Sequence, residues 1–287
     1  MADPLRILSI GAHPADIFDQ SGGTMAHHRD QGDWVGCVVL THGARVHDEI
    51  ISEQMFHMEQ VPDADDLTNM MNERAEIKAN EVRAACRALG VEDVFFFGAD
   101  DSVLLPDKPT VQRLARFLRE QKPDVILTHF PEEGGGTWNP HAATGQIVML
   151  ALGLAGSVDP GDRNPPHRVM QIFYWGCGAA SLPSKVWDAR GGYYNDLFID
   201  ITDVVDKKLA ALDALASQGY GGEYARKRIE TSDGAFGTAG GVAYAEGFIK
   251  ANAETHYVLP VTDYARQSAR DSDHERMARY SYRIPTR

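Results

Sequence analysis

The sequence predicts an α/β fold: a mostly parallel sheet with helices on both faces. Two observations predict it. Short apolar runs of strand length alternate with helical runs in units of about 30 residues, the repeat of right-handed βαβ crossovers. The composition, 43% hydrophobic and 24% charged over 287 residues, is that of a globular chain able to bury a large core without staples. A single domain spanning 1–287 is expected, with 190–287 forming a C-terminal portion that covers the substrate or contacts a neighbouring subunit.

Residues 5–10 (LRILSI) read as a buried strand. GAHPADIFDQSGG (11–23) follows as a loop, in which Gly22 and Gly23 make a tight turn, and TMAHHRDQG (24–32) as a helix closed by Gly32. WVGCVVLT (34–41) is the second strand, and the polar, Met-rich stretch 42–70 reads as a long loop. In 72–90 the positions Ala75, Ala79, Val82, Cys86 and Leu89 keep helical spacing up to Gly90. A strand at 91–98, a helix at 110–122 and a strand at 123–129 come next. The loop PEEGGGTWNP leads into a helix over 141–156. A Pro/Gly-rich loop (157–167), strands at 169–176 and 195–202 and a helix over 203–218 complete the regular elements. The polar end, 256–287, is expected to wrap the surface or a neighbour.

A net charge of −13 argues against a general binder of nucleic acid or anionic membrane, whose affinity comes from basic surface. No apolar run reaches the ~18 residues of a membrane helix, and the N-terminus lacks the order of a signal peptide. Three scattered cysteines form neither a metal motif nor a disulfide framework, which fits the cytoplasm. Cys37 and Cys177 read as small buried apolar groups.

In open parallel sheets, ligands gather beyond the carboxyl ends of the strands. Two such ends carry metal-type side chains: His13 and Asp16 after the first, and His129, Glu132, Glu133 and His141 after the strand 123–129. Imidazoles and a carboxylate suit Zn²⁺, and three protein ligands with one open position make a catalytic site. On spacing alone, a capping aspartate and ordinary loop histidines account for the same residues.

GAHPADIFDQSGGT resembles the signature loop A-H-P-D-D-E…G-G-T of the PIG-L/LmbE-like zinc deacetylase superfamily, and WNPHAATG (138–145) its second signature, H-P-D-H-R-A-T-G. The helix 72–90, KLAALDALASQ and VAYAEGF (242–248) extend the resemblance over most of the chain. It implies a Rossmann-like fold and Zn²⁺ held by His13, Asp16 and His141. It also implies a homo-oligomer, a trimer or hexamer.

The departures matter as much. Ala15 stands where the family keeps the Asp that is its usual general base, Ile17 replaces the following Glu, and Trp138 and Pro140 replace the His and Asp of the second signature. A deacetylase uses that carboxylate to deprotonate water and then to protonate the leaving amine. The 4-oxalomesaconate hydratase branch of the superfamily, from aromatic ring-cleavage pathways, is similar in having A-H-x-A-D at this place. There a Glu after the second strand is thought to act instead, which implies Glu49, or Asp48, as the base here; a solvated acidic loop is the rival reading. His129 is the reserve for metal or acid–base work, and with Thr128 and Glu132 is otherwise a group that orients ligands.

An anionic small-molecule substrate needs cations. Arg45, Arg74 and Arg228 are the candidates, since guanidinium binds carboxylate through two parallel hydrogen bonds; each also reads as an ordinary surface arginine. Three functions stay open: a zinc hydratase on an unsaturated oxo-di- or tricarboxylic acid, a zinc amide hydrolase or N-deacetylase with a displaced base, and a catalytically silent zinc or ligand-binding protein.

Overall fold

The computed structural model describes residues 3–132, 139–175 and 195–282. Among the described residues seven strands run in chain order: β1 (Arg6–Gly11), β2 (Trp34–Thr41), β3 (Asp93–Ala99), β4 (Val125–His129), β5 (Gln171–Trp175), β6 (Leu197–Asp200) and β7 (Ala245–Lys250). They form one sheet in the order β3-β2-β1-β4-β5-β7-β6. β1 to β5 are parallel, whereas β7 pairs antiparallel with both β5 and β6. The order therefore reverses between β1 and β4, the switch point at which a crevice opens beyond the strand ends.

Ten helices accompany the strands among the described residues: α1 (Asp16–Asp30), α2 (Glu49–Phe56), α3 (Ala64–Ala88), α4 (Lys108–Gln121), α5 (Pro140–Ala155), α6 (Val205–Asp213), α7 (Glu223–Thr231), α8 (Asp233–Gly240), α9 (Asp263–Ser268) and α10 (Asp273–Arg279). Successive strand residues face opposite ways, so β1 feeds two cores. Ile7 joins Phe18, Met25, Val82, Cys86 and Leu212 of α1, α3 and α6. Leu8 and Ile10 join Leu114, Leu118, Ile147 and Val148 of α4 and α5 on the other face.

Several expectations need correction. The segment 11–23 is not a loop throughout: α1 begins at Asp16 and is kinked at Ser21 (φ −144°). The kink is stable because the Glu246 carboxylate of β7 accepts from the Gly23 and Thr24 N–H groups at 2.8 Å, capping the second half of the helix from a distant strand. Gly22 and Gly23 lie inside the helix, not in a turn. A Cβ on Gly23 would sit 2.5 Å from Ile201, so close packing requires glycine there. The stretch 42–70 is not one loop either. Asp48 caps α2 by accepting from Ile51 N, and Asp63 starts α3 two turns earlier than the spacing suggested. The helix expected over 203–218 stops at Asp213 and gives way to a 3₁₀ turn at Ala216–Gln218. Trp138, Glu133 and Cys177 lie outside the described residues.

Beneath the α1 kink, Lys208 is fully buried between Glu246 (2.8 Å) and Asp233 (2.9 Å). One cation cannot neutralise two buried carboxylates. Burial, opposed by Lys208 but reinforced by Glu246 and Asp19, pushes Asp233 up to about 7. A folded-state value above the ordinary 3.8 means that Asp233 contributes stability at low pH. That contribution is lost as pH rises from about 4 to about 7. Asp233→Asn, neutral at every pH, should raise the unfolding free energy at pH 8 by roughly 1–4 kcal/mol and change it little at pH 4. Equal gains at both pH values in denaturant titrations would refute this account.

Candidate metal centre and cleft

His13 follows β1, and Asp16 opens α1. The turn between them is fixed by its own backbone: His13 N–H donates to Asp16 Oδ2 (2.7 Å), and Asp16 N–H to the His13 carbonyl (3.3 Å). Thr41, at the end of β2, anchors the loop by donating both its N–H and its hydroxyl to the Ala12 carbonyl. His141 comes from α5, where Asn139 accepts from Ala142 N and Pro140 presets the first turn. That helix end lies close to β4 because Gly145 has no Cβ; one would stand 2.5 Å from the His129 carbonyl. As a result the His141 and His129 rings stack at 4.3 Å.

Donor atoms of three side chains converge. His13 Nδ1 is 3.3 Å from Asp16 Oδ2, His141 Nε2 is 3.2 Å from His13 Nδ1, and His141 Nε2 is 3.5 Å from Asp16 Oδ1. Metal–ligand bonds of about 2.0–2.1 Å in a tetrahedron put ligand atoms roughly 3.3–3.4 Å apart, so the spacing fits Zn²⁺. The protonation states fit too. Burial lowers the His13 pKa despite Asp16, favouring a neutral imidazole. Burial opposes ionisation of Asp16, but His141, His13 and a hydrogen bond from His129 hold it well below the usual carboxylate range. A neutral His13 imidazole and an ionised Asp16 carboxylate, with the His141 ring beside them, form a donor set that a cation would draw together.

His129 is placed differently from the acid–base reserve expected of it. It is buried beneath the cluster and absent from the cleft wall, with Nε2 3.1 Å from Asp16 Oδ2 and 3.3 Å from Ala12 N. From there it orients Asp16 and supports the His141 ring.

The cluster forms one end of an open cleft of about 460 Å³. Ala15 lines it beside Asp16, so position 15 brings no carboxylate to that side. The other walls are Val46 to Glu49 with Ser52, and Gln218 to Tyr220. Glu49, the first residue of α2, is exposed and makes no hydrogen bond or ion pair among the described residues. A Cβ on Gly219 would lie 3.5 Å from Glu49 Oε2, which sets the carboxylate across from the 216–220 turn.

The remaining candidates have other partners. Asp48 borders the cleft, but its carboxylate caps α2 and pairs with Arg74 (2.9 Å) and Lys78 (3.4 Å). Arg74 therefore holds Asp48 rather than facing the cleft. Arg228 grips Asp19 through Nε and Nη2, at 2.9 and 2.6 Å. Arg45 pairs with Asp100 at 2.9 Å, half exposed at the rim. An acidic chain offers each arginine a carboxylate of its own, and linear spacing does not reveal such pairing.

Sequence reasoning passed over Asp101 and Lys78. Asp101 is buried and accepts from Arg45 N and Val46 N; His42 and His47 lie at 3.2 and 3.5 Å. His47 in turn packs on the His13 ring at 3.9 Å. Asp101 was findable, because it follows β3 at the carboxyl edge of the sheet. Lys78 was not, since a lysine in an amphipathic helix normally reads as surface.

No helix among the described residues is long and apolar enough to cross a membrane. The chain is 27% identical over 217 residues to a 4-oxalmesaconate hydratase of Pseudomonas putida, covering 76% of this chain and 75% of that one. It is 28% identical over 258 residues to a 1D-myo-inositol 2-acetamido-2-deoxy-alpha-D-glucopyranoside deacetylase of Catenulispora acidiphila, covering 76% and 81%. The crystal structure of the 4-carboxy-2-hydroxymuconate hydratase of Pseudomonas putida superposes with a TM-score of 0.66 at 23% identity, over 89% of this chain and 100% of that one, a likeness of fold. The profile of the GlcNAc-PI de-N-acetylase family, PIG-L, matches residues 8–152, which run from within β1 through β4 and most of α5 and include His13, Asp16 and His141. With the signature loops and the α/β sheet in agreement, the chain belongs to the PIG-L family.

Proposed function

We propose that this enzyme is a zinc-dependent hydratase, a hydro-lyase acting on a small unsaturated oxo-di- or tricarboxylic acid of the 4-oxalomesaconate type. The observation that carries the proposal is Ala15 on the cleft wall beside Asp16, with the Glu49 carboxylate, unpaired among the described residues, on another wall. When bound by His13, Asp16 and His141, zinc supplies Lewis acidity toward a substrate oxygen or a water. Glu49 takes a proton from the attacking water and returns it to the carbon next to the carbonyl, so that H and OH add across the double bond. No amine has to leave, so the carboxylate missing at Ala15 is not needed. Arg45 at the rim is the cation best placed to meet a substrate carboxylate. The reading includes a cytoplasmic homo-oligomer in aromatic catabolism; the exposed Tyr257, Val258 and Leu259 support self-association.

One observation favours a second reading, amide hydrolysis of a neutral N-acyl substrate: no arginine or lysine is among the described residues lining the cleft, whereas Gln218 and Tyr220 are. The zinc-loaded protein should bleach the conjugated ultraviolet absorbance of an unsaturated oxo-tricarboxylate and release little acetate from N-acetylated amino sugars. Ala15→Asp should not speed the hydration. Ready acetate release without loss of absorbance would sink the hydratase reading and install the hydrolase.

A further inference from the structure

The turn that forms the third wall of the cleft is held without any help from the Gln218 side chain. Glu81 of α3 accepts from Ser217 N (2.8 Å) and Ser217 Oγ (2.7 Å). Lys78 donates to Ser217 Oγ (3.1 Å), and also to the His47 carbonyl (3.0 Å) on the facing wall. One buried lysine thus ties the two walls together at a fixed separation. Gly219 ends the turn at φ +74°, a backbone conformation that glycine adopts without strain. The residue between this clamp and this glycine, Gln218, lines the cleft, yet its Nε2 is buried with no hydrogen-bond partner among the described residues. A buried, unpaired amide donor is destabilising, and native folds rarely keep one without a use. Neither packing nor the turn explains it. It stands beside Gly219, across from Glu49, in the same cleft as His13, Asp16 and His141.

We infer that Gln218 is a substrate-recognition residue whose side-chain amide donates a hydrogen bond to an sp² oxygen of the substrate, a carboxylate or carbonyl oxygen, on the wall facing Glu49. This rests on reading the cleft as the active site and holds for either reaction. Because the 78–81–217 clamp fixes the backbone of the turn before substrate arrives, only the side-chain amide has to turn toward the cleft on binding.

The test compares Gln218→Leu and Gln218→Glu with the parent enzyme. The substrate is whichever the parent turns over, the oxo-tricarboxylate or the N-acetylated amino sugar. In Gln218→Leu, KM should rise roughly 10- to 100-fold, the scale of one hydrogen bond to a charged or strongly polar acceptor, with kcat within a few-fold and zinc content unchanged. Gln218→Glu should raise KM further, since it sets a carboxylate against an acceptor oxygen. Thermal melting of the metal-free proteins separates this from a structural role: Gln218→Leu should melt at or above the parent temperature, because it removes an unpaired donor. An unchanged KM, or a Gln218→Leu protein that melts several degrees lower, would overturn the inference. If the KM rise appears with the amino sugar instead of the oxo-acid, the hydratase reading fails and the assignment of Gln218 stands.

Discussion

His141→Ala should lose bound zinc and activity together. The three side chains approach one another at 3.2–3.5 Å through His13 Nδ1, His141 Nε2 and the two oxygens of Asp16, and removing His141 Nε2 leaves one imidazole and one carboxylate on a single short turn. Two protein ligands do not hold zinc in competition with water as three do. The loss should exceed the roughly 10–100-fold drop in metal affinity typical when an outer partner is removed, the change expected for His129→Ala. The chain should still fold. His141 is part-exposed at the start of α5, and the helix keeps its Asn139 cap and Pro140. Elemental analysis and circular dichroism on the same sample separate loss of metal from loss of fold. Full zinc occupancy in folded His141→Ala would remove His141 from the ligand set.

The strands of this fold are legible because burial dictates their residues. LRILSI, WVGCVVLT and PDVILTH are apolar for the same reason that β1, β2 and β4 sit between two helical layers. The ligand triad is legible for a different reason: a metal tolerates few donor types, and these stand at the carboxyl ends of strands. Other features depend on partners far away in sequence. The start of α1 is missed because the cap of its second half is Glu246, 223 residues from Gly23. Asp48 reads as chemistry because its helix-capping role and its pairing with Arg74 and Lys78 appear only once α3 lies against the loop. Arg228 reads as a substrate cation until Asp19 is found 209 positions away. Local pattern reports burial and turn chemistry; it is silent on which opposite charges meet. It is equally silent on Gln218, whose Nε2 is buried without a hydrogen-bond partner among the described residues.

Glu49→Gln should keep its zinc and lose turnover by roughly 10²–10⁴-fold, the usual scale for removal of a general acid–base group. The substitution preserves size and polarity while removing the proton-accepting oxygen. It should also leave the fold unchanged, because the Glu49 carboxylate has no hydrogen bond or ion pair to lose among the described residues. KM should change less than kcat if the proton moves only in the transition state. The neighbouring carboxylate serves as the control. Asp48→Asn keeps an oxygen to cap α2 but strips Arg74 and the fully buried Lys78 of their counter-charge. Breaking such a buried pair costs on the order of 3–5 kcal/mol, so Asp48→Asn should lower the melting temperature, whereas Glu49→Gln should not. If Glu49→Gln turns over at the parent rate, the base lies elsewhere on the cleft, and His47, packed at a tilt on His13 beside Asp101, becomes the next group to test. If both substitutions leave stability untouched and only Asp48→Asn abolishes turnover, the roles of the two carboxylates are the reverse of those assigned here.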